Sequence, residues 1–503
     1  MDDAAASTTS HPPPPAPALS AAARAWVLAG TILASAMAFI DGTVVHVALP
    51  ALQSDLEAGF TALQWVVNGY ALTLGGLILV GGALGDRVGR RRIFVWGIAL
   101  FALASLACAL APNAAALVAA RLVQGVGAAL LVPQSLAIIA ASFPKDVRGR
   151  AIGIWAGASA ITTALGPPLG GFLVDALSWR AVFWINLPLS AAAIWIALAH
   201  MPDDRGASGS EAAGPLDWPG ALLAILGFGL VTLALTLGSE TGIGLALPIA
   251  LFVAGAGALA SFVAVEARAR SPLMPLSLFS SRAFTGANVV TLFLYAAFVT
   301  ALFLVPFELQ SRRGLSATQV GLTMLPIGLI IGTASRFSGA WGDRVGPQLP
   351  LALGSAVVAL GIAGLAAGLS SYWLGVLAPI VVMSCGMALA VAPLTTSVMN
   401  AVDEARAGAA SGVNNAASRL AGLFGVAIAG SLASALFFAR AGDAAGTEAR
   451  FGTLPPPGDP ARAALEAAFL SGFGAALWLA AAWAAIAALV AWRLPPPTRD
   501  AAP

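Results

Sequence analysis

Charged side chains interrupt three apolar runs of this 503-residue chain: Asp41 between Trp26 and Leu49, Arg121 between Ala114 and Ala141, and Arg419 between Ala409 and Phe437. A carboxylate at the centre of a hydrocarbon core costs on the order of 3 kcal/mol, and where one is kept it most often carries a proton or an ion. Asp41 stands about eight residues before Leu49, roughly 12 Å from that end of a helix and close to the middle of a ~30 Å core. Arg121 stands about seven residues after Ala114, roughly 10 Å from the same side. The two depths match, as a buried ion pair requires. Arg419 is about ten residues into its run, roughly 15 Å deep, with no obvious acid in its half of the chain, because Glu308 lies at the outer end of the run Phe284 to Leu309. Binding of carbonyls, binding of an anionic substrate group and a purely structural role are all open for it.

A second concentration of charge is the stretch GGALGDRVGRRR, which crowds Asp86, Arg87, Arg90 and Arg91 among Gly82, Gly85 and Gly89. Arginines on a short loop signal membrane topology, but that explains neither the aspartate nor the glycines. An aspartate there can accept from helix-end amides and pair with arginine, while glycines let one helix end approach another. The stretch reads as a latch between helices. It recurs as GAWGDRVGP, with Asp343 and Arg344 in the places of Asp86 and Arg87.

The elements that position these groups must be membrane helices. The chain is 59% hydrophobic and 10% charged, with a mean hydropathy of +0.88, and its apolar runs are long enough to cross a bilayer. The reading is an all-α polytopic membrane protein of fourteen transmembrane helices. Residues 1–25 read as a disordered cytoplasmic tail, 26–199 as a six-helix bundle, 200–217 as a linker, 218–265 as an inserted helix hairpin, 266–283 as a second linker, 284–492 as another six-helix bundle and 493–503 as a cytoplasmic tail. With both termini in the cytoplasm, most of the 25 Lys and Arg residues fall on the cytoplasmic side, as the positive-inside rule requires. The acidic, proline-rich start is no secretory signal. Two cysteines and three scattered histidines suggest no disulfide framework, metal site or cofactor. There is no nucleotide-binding loop and no catalytic cluster, so neither an enzyme nor a nucleic-acid partner is expected. Energy must come from an ion gradient.

Parallel six-helix repeats with a binding site between them are the architecture of alternating-access carriers. The motifs resemble those of the major facilitator superfamily, in its fourteen-helix drug:proton antiporter branch. GALGDRVGRRR matches the cytoplasmic signature of that family at every fixed position. IDGTVVHVALP resembles the helix 1 signature, RLVQGVGAA that of helix 4 and GPPLGG the antiporter motif of helix 5; LQWVVNGYAL, SWRAVFWINLP and LDWPGALL are also similar to this branch. Three departures stand out: His46 replaces the usual Asn, Thr162 replaces a common Gly, and GVAIAG at 425–430 lacks the prolines of GPPLGG.

The resemblance implies that helices 1 and 4 line a cavity, where Asp41 and Arg121 form a protonation switch or, alternatively, a structural ion pair. It implies that the corner Gly166, Pro167, Gly170 and Gly171 restricts ion leak. Candidate cavity residues are His46, Trp65, Asn68, Tyr70, Gln124, Gln134, Asn288, Asn414 and Arg419. The resulting expectation is a multi-pass protein of the plasma (inner) membrane that exports small amphipathic organic molecules in exchange for protons, a multidrug or antibiotic efflux carrier. A dedicated metabolite exporter or uncoupled facilitator, and a non-transporting sensor or scaffold, are the alternatives. Its partners are a small-molecule substrate, protons and the bilayer; a periplasmic adaptor is not readable from the sequence.

Overall fold

The computed structural model describes residues 20–202, 217–238, 243–269, 272–368, 370–403, 406–442 and 449–495. Fourteen long helices account for nearly all of it, and no strand occurs among these residues. They are α1 (Ala21–Asp55), α2 (Phe60–Val88), α3 (Arg90–Ala109), α4 (Ala114–Ser142), α5 (Lys145–Ala176), α6 (Ala181–His200), α7 (Trp218–Leu237) and α8 (Ala246–Glu266) in the first part of the chain. The second part holds α9 (Arg282–Arg312), α10 (Ala317–Val345), α11 (Gln348–Ala366), α12 (Trp373–Asn400), α13 (Ala407–Ala441) and α14 (Arg462–Trp492).

Thirteen of the helices are long and apolar enough to cross a membrane. The exception is α5, whose apolar content is diluted by charges in its first turns and by Ser, Thr, Gly and Pro further on. The first helix begins earlier than expected. Residues 1–19 of the predicted tail lie outside the described residues, but Ala21–Arg24 are already helical, capped by the Ser20 side chain, which accepts from Ala23 N at 3.1 Å. Alanine favours the helix and serine caps it, so the apolar boundary at Trp26 is not the structural one. The predicted linker 200–217 falls mostly on residues 203–216, outside the described ones; Asp217, at its end, caps α7 by accepting from Gly220 N at 2.8 Å.

Packing follows the sequence repeat. In the first half α1 lies against α5 and α6, α2 and α3 lie against α4, and α3 lies against α6; in the second half the same pairs recur as α9 with α13 and α14, α10 and α11 with α12, and α11 with α14. The loop after each GDRVG copy turns identically: Gly89 (φ 106°) and Gly346 (φ 87°) both occupy the left-handed region that glycine tolerates. The halves meet through α5 with α10 and α2 with α13, two contacts that the repeat relates to each other. The hairpin α7–α8 packs on α2 and α13 from outside.

We call the face where the chain enters α1 the near face, and the opposite one the far face. Hydrogen bonds that join the halves sit toward the far face. Asp175 accepts from Ala317 N (3.1 Å) and Thr318 N (2.7 Å). Gln310 donates to Val47 O (2.9 Å), Gln53 to Phe451 O (2.9 Å) and Gln64 to Val426 O (2.7 Å). Toward the near face, α5 is unpartnered at Gly149, Gly153 and Gly157, each of which faces open space. The molecule is closed at the far face and open at the near one.

Candidate functional site

Asp41 and Arg121 meet. Asp41 is 0% exposed and Arg121 1%, and Arg121 Nη1 lies 2.5 Å from Asp41 Oδ2. An isolated charge in this setting would be prohibitive, so the surroundings must supply partners. Gln124, one turn along α4 from Arg121, donates from Nε2 to Asp41 Oδ1 (2.9 Å) and accepts from Arg121 at Oε1 (2.6 Å). Asn186 on α6 donates to the same Asp41 oxygen (3.2 Å) and to Ser105 Oγ (2.9 Å) on α3. Arg121 Nε donates to Val66 O of α2 (3.0 Å), and its guanidinium lies 4.3 Å from the centre of the Tyr70 ring, a cation–π contact. Five helices therefore converge on one carboxylate, whose two oxygens are both satisfied.

Gln124 and Tyr70 are thus part of the ion-pair site, where the sequence reading had placed them in the cavity wall. Asn186 and Ser105 were missed. Asn186 lies inside the quoted segment SWRAVFWINLP, and a polar residue in an apolar run was its only signal.

Several other candidates prove to be joints between helices. Trp65 donates to Thr236 Oγ1 of α7 (3.1 Å) and fastens the hairpin. Gln134 donates to Gly81 O (2.7 Å) and ties α4 to α2. Asn414 donates to Thr291 Oγ1 (2.7 Å) and Asn288 Oδ1 (3.2 Å), joining α13 to α9. Amide side chains act here as glue between helices in lipid, so Trp65, Gln134, Asn288 and Asn414 do not face the cavity described below. Asn68 is fully buried, with neither amide atom partnered among the described residues.

That cavity has a volume of about 440 Å³ and opens between α1, α5, α9 and α10, within the range that suits a drug-sized ligand. Phe39, Thr43, His46, Pro167, Tyr295 and Met324 are among its lining residues. Of the sequence candidates for this wall, only His46 lies in it. His46 is 5% exposed and its Nδ1 has no partner among the described residues. Arg419 is half-buried on α13 and is not in the cavity lining.

The corner of α5 packs on α1 beside the cavity, which Pro167 helps to line. Gly166 and Gly170 press against Thr43 and Val44 of α1, while Gly171 presses against the Ala317 backbone of α10 and Pro167 O against Gly321. A side chain at Gly171 or Gly321 would collide with backbone, so both glycines are steric requirements. The helix runs unbroken through Pro167 and Pro168.

The predicted latch is placed on the near face, within one half. Asp86, with 59% of its side chain exposed, pairs with Arg90 Nη2 at 2.9 Å, and no side chain caps the start of α3. The expected capping by Asp86 is therefore not realised, because Gly89 turns the chain so that the carboxylate meets the next helical turn instead. Arg90 reaches Ala137 O (3.4 Å) on α4 and Arg91 reaches Met201 O (2.9 Å) beyond α6. Gly82 and Gly85 face Pro133 and Gln134 of α4. Asp343 and Arg344 are exposed at the equivalent place in the second half. No group of three or more His, Cys, Asp or Glu able to hold a metal occurs among the described residues.

Residues 31–426 match the family model described as the Major Facilitator Superfamily. The chain is 36% identical over 411 residues to the multidrug resistance protein Stp of Mycobacterium tuberculosis, covering 81% of this chain and 75% of that one. It is 32% identical over 513 residues to the tetracenomycin C resistance and export protein of Streptomyces glaucescens, covering 94% and 92%. It is 37% identical over 414 residues to the cephamycin export protein CmcT of Amycolatopsis lactamdurans, covering 81% and 84%. Among solved structures, a bacterial homolog of the human lysosomal transporter Spinster superposes with a TM-score of 0.65 at 16% identity, covering 94% and 98% of the two chains. The xylose transporter XylE of E. coli superposes with a TM-score of 0.58 at 16% identity, covering 95% and 97%.

Proposed function

The chain belongs to the Major Facilitator Superfamily, a family of multi-pass membrane transporters, and from that premise we propose that it exports small amphipathic organic molecules in exchange for protons. The observation that carries the reading is the Asp41–Arg121 pair, buried between α1 and α4 with every bond needed to stabilise the carboxylate. A proton arriving at Asp41 cancels the charge that holds Arg121, which keeps its bonds to Gln124 and Val66 O. The α1–α4 contact then loosens. Thr43 and Val44, just beyond Asp41 on α1, bear on the Gly166–Gly171 corner, which bears on α10 of the other half. A change at the carboxylate is therefore carried by rigid helices to the interface where the halves rock.

The near face is assigned to the cytoplasm of a plasma membrane, since Arg87, Arg90, Arg91, Arg148, Arg150, Arg268, Arg336 and Arg344 gather there. The structure then corresponds to an inward-open state, and the moving bodies are residues 26–199 and 284–492. The Asp86 and Asp343 motifs would latch the near face in the opposite, outward-open state. Export of a single metabolite is a second reading, favoured by relatives named for one antibiotic each.

Purified protein in proteoliposomes tests the proton coupling. Asn keeps the size of Asp41 and part of its hydrogen bonding but cannot carry the proton. Asp41→Asn should abolish uphill export driven by a pH gradient while leaving substrate exchange in part. Coupled export at the wild-type rate by this variant would exclude Asp41 as the proton carrier.

A further inference from the structure

The polar groups of the cavity wall divide by whether their protons are already committed. Thr43 Oγ1 donates to Ile40 O (3.0 Å), Ser159 Oγ to Trp155 O (2.8 Å) and Thr163 Oγ1 to Ser159 O (2.8 Å), each within its own helix. A hydroxyl used in this way has only lone pairs left to offer. His46 and Tyr295 differ. Both line the cavity, and no hydrogen bond from the described residues reaches either ring nitrogen of His46 or the Tyr295 hydroxyl. His46 belongs to α1 of the first half and Tyr295 to α9 of the second, so the two uncommitted groups come from the two bodies that enclose the cavity.

The protonation of His46 follows from its surroundings. The residue is 5% exposed, and the described lining holds no carboxylate, lysine or arginine. An unpaired charge so buried would be expensive, so the imidazole is neutral and carries a single N–H. Nδ1 is sealed off without a partner. A buried N–H is left orphaned less often than a buried lone pair. The proton is therefore assigned to Nε2, the nitrogen left for a guest to reach. The wall thus presents two donors, His46 Nε2–H and the Tyr295 hydroxyl, in a setting that is otherwise largely apolar. A charged guest would give up its hydration without gaining a counter-charge, whereas a neutral acceptor would satisfy what the wall offers.

We propose that His46 and Tyr295 are the specificity-determining donors of this cavity, and that the exported class is uncharged aromatic or apolar molecules bearing a carbonyl-type acceptor. The proposal rests on the export reading above for the cavity's role as a substrate site.

The test compares 1-acetylpyrene with 1-isopropenylpyrene, in which a methylene group replaces the carbonyl oxygen on the same aromatic body. Equilibrium binding to the full-length protein in phosphatidylcholine nanodiscs is read by tryptophan-to-pyrene energy transfer, with partition of each probe into protein-free nanodiscs measured alongside. The ketone should bind about fivefold more tightly than the alkene to the wild type, as one neutral hydrogen bond implies. His46→Leu and Tyr295→Phe should each lower that preference about twofold or more by weakening the ketone alone. His46→Asn should retain part of it, because the amide still donates. The anion 1-pyrenecarboxylate and the cation 1-pyrenylmethyl trimethylammonium should both bind about tenfold or more weakly than the ketone. Equal binding of ketone and alkene to the wild type, a comparison that needs no variant, would overturn the proposal. So would an unchanged preference in a folded His46→Leu or Tyr295→Phe protein, or a charged probe that binds as tightly as the ketone. Binding requires no gradient, so a ketone preference that His46→Leu removes, in a protein that does not move 1-acetylpyrene across proteoliposomes, would refute the export reading and leave the binding site standing.

Discussion

At the scale of single residues, the carboxylate of Asp41 is held by a shell whose members differ in what they supply. Arg121 supplies charge; Asn186 supplies one hydrogen bond and, through Ser105, a fixed orientation. Asn186→Leu should therefore cost about 1–2 kcal/mol of stability, the loss of one or two buried hydrogen bonds. It should reduce coupled export without abolishing it, since Arg121 and Gln124 still hold the carboxylate. Thermal unfolding together with protons moved per substrate checks both parts, and complete loss of coupling would make Asn186 more than a positioning residue. Asp41 and Arg121 were legible in the sequence because charge inside an apolar run is expensive and conspicuous. Asn186 and Ser105 were not, because a neutral polar residue costs little, and whether it faces a charge depends on how the helices rotate against each other.

Helices transmit what residues initiate, and α5 is the element that touches both sides. Its Gly171 lies against the Ala317 backbone at the far end of α10. Gly171→Val should push the two helices apart and open the far face. In a variant whose two native cysteines are replaced, a cysteine at Thr43 in the cavity wall should then react with an impermeant thiol reagent added to intact cells, and transport should fall about tenfold or more, as a steric clash with backbone implies. Unchanged labelling and transport would show that the glycine is not needed for closure. The position of this corner was legible from GPPLGG, and the helix continues through Pro167 and Pro168 without a break. The amide residues taken for cavity wall became joints. A polar residue in an apolar run marks a side chain as turned away from lipid without saying whether it meets a cavity or the next helix.

For the whole molecule, the doubled GDRVG stretch correctly announced two halves of one plan, and the pairwise packing of α1–α6 returns in α9–α14. The orientation proposed for it is open to a direct check. With Cys108 and Cys385 replaced, Pro457→Cys in the exposed far-face segment should be labelled from outside intact cells, whereas Gly149→Cys at the near face should react only after permeabilisation. The opposite pattern would reverse the transporter. The far face itself has a property that its bonding dictates. Its ion pairs, Arg180 with Asp55 and Glu308 with Arg312 and Arg313, each stay inside one half. The links across the halves are amide-to-carbonyl bonds from Gln53, Gln64 and Gln310, with Asp175 the one charged contributor among them. Dissolved salt screens charge but leaves neutral hydrogen bonds nearly unchanged. The far-face seal should therefore hold equally well in brackish and in dilute solution, its opening rate nearly flat as the ionic strength bathing that face is raised.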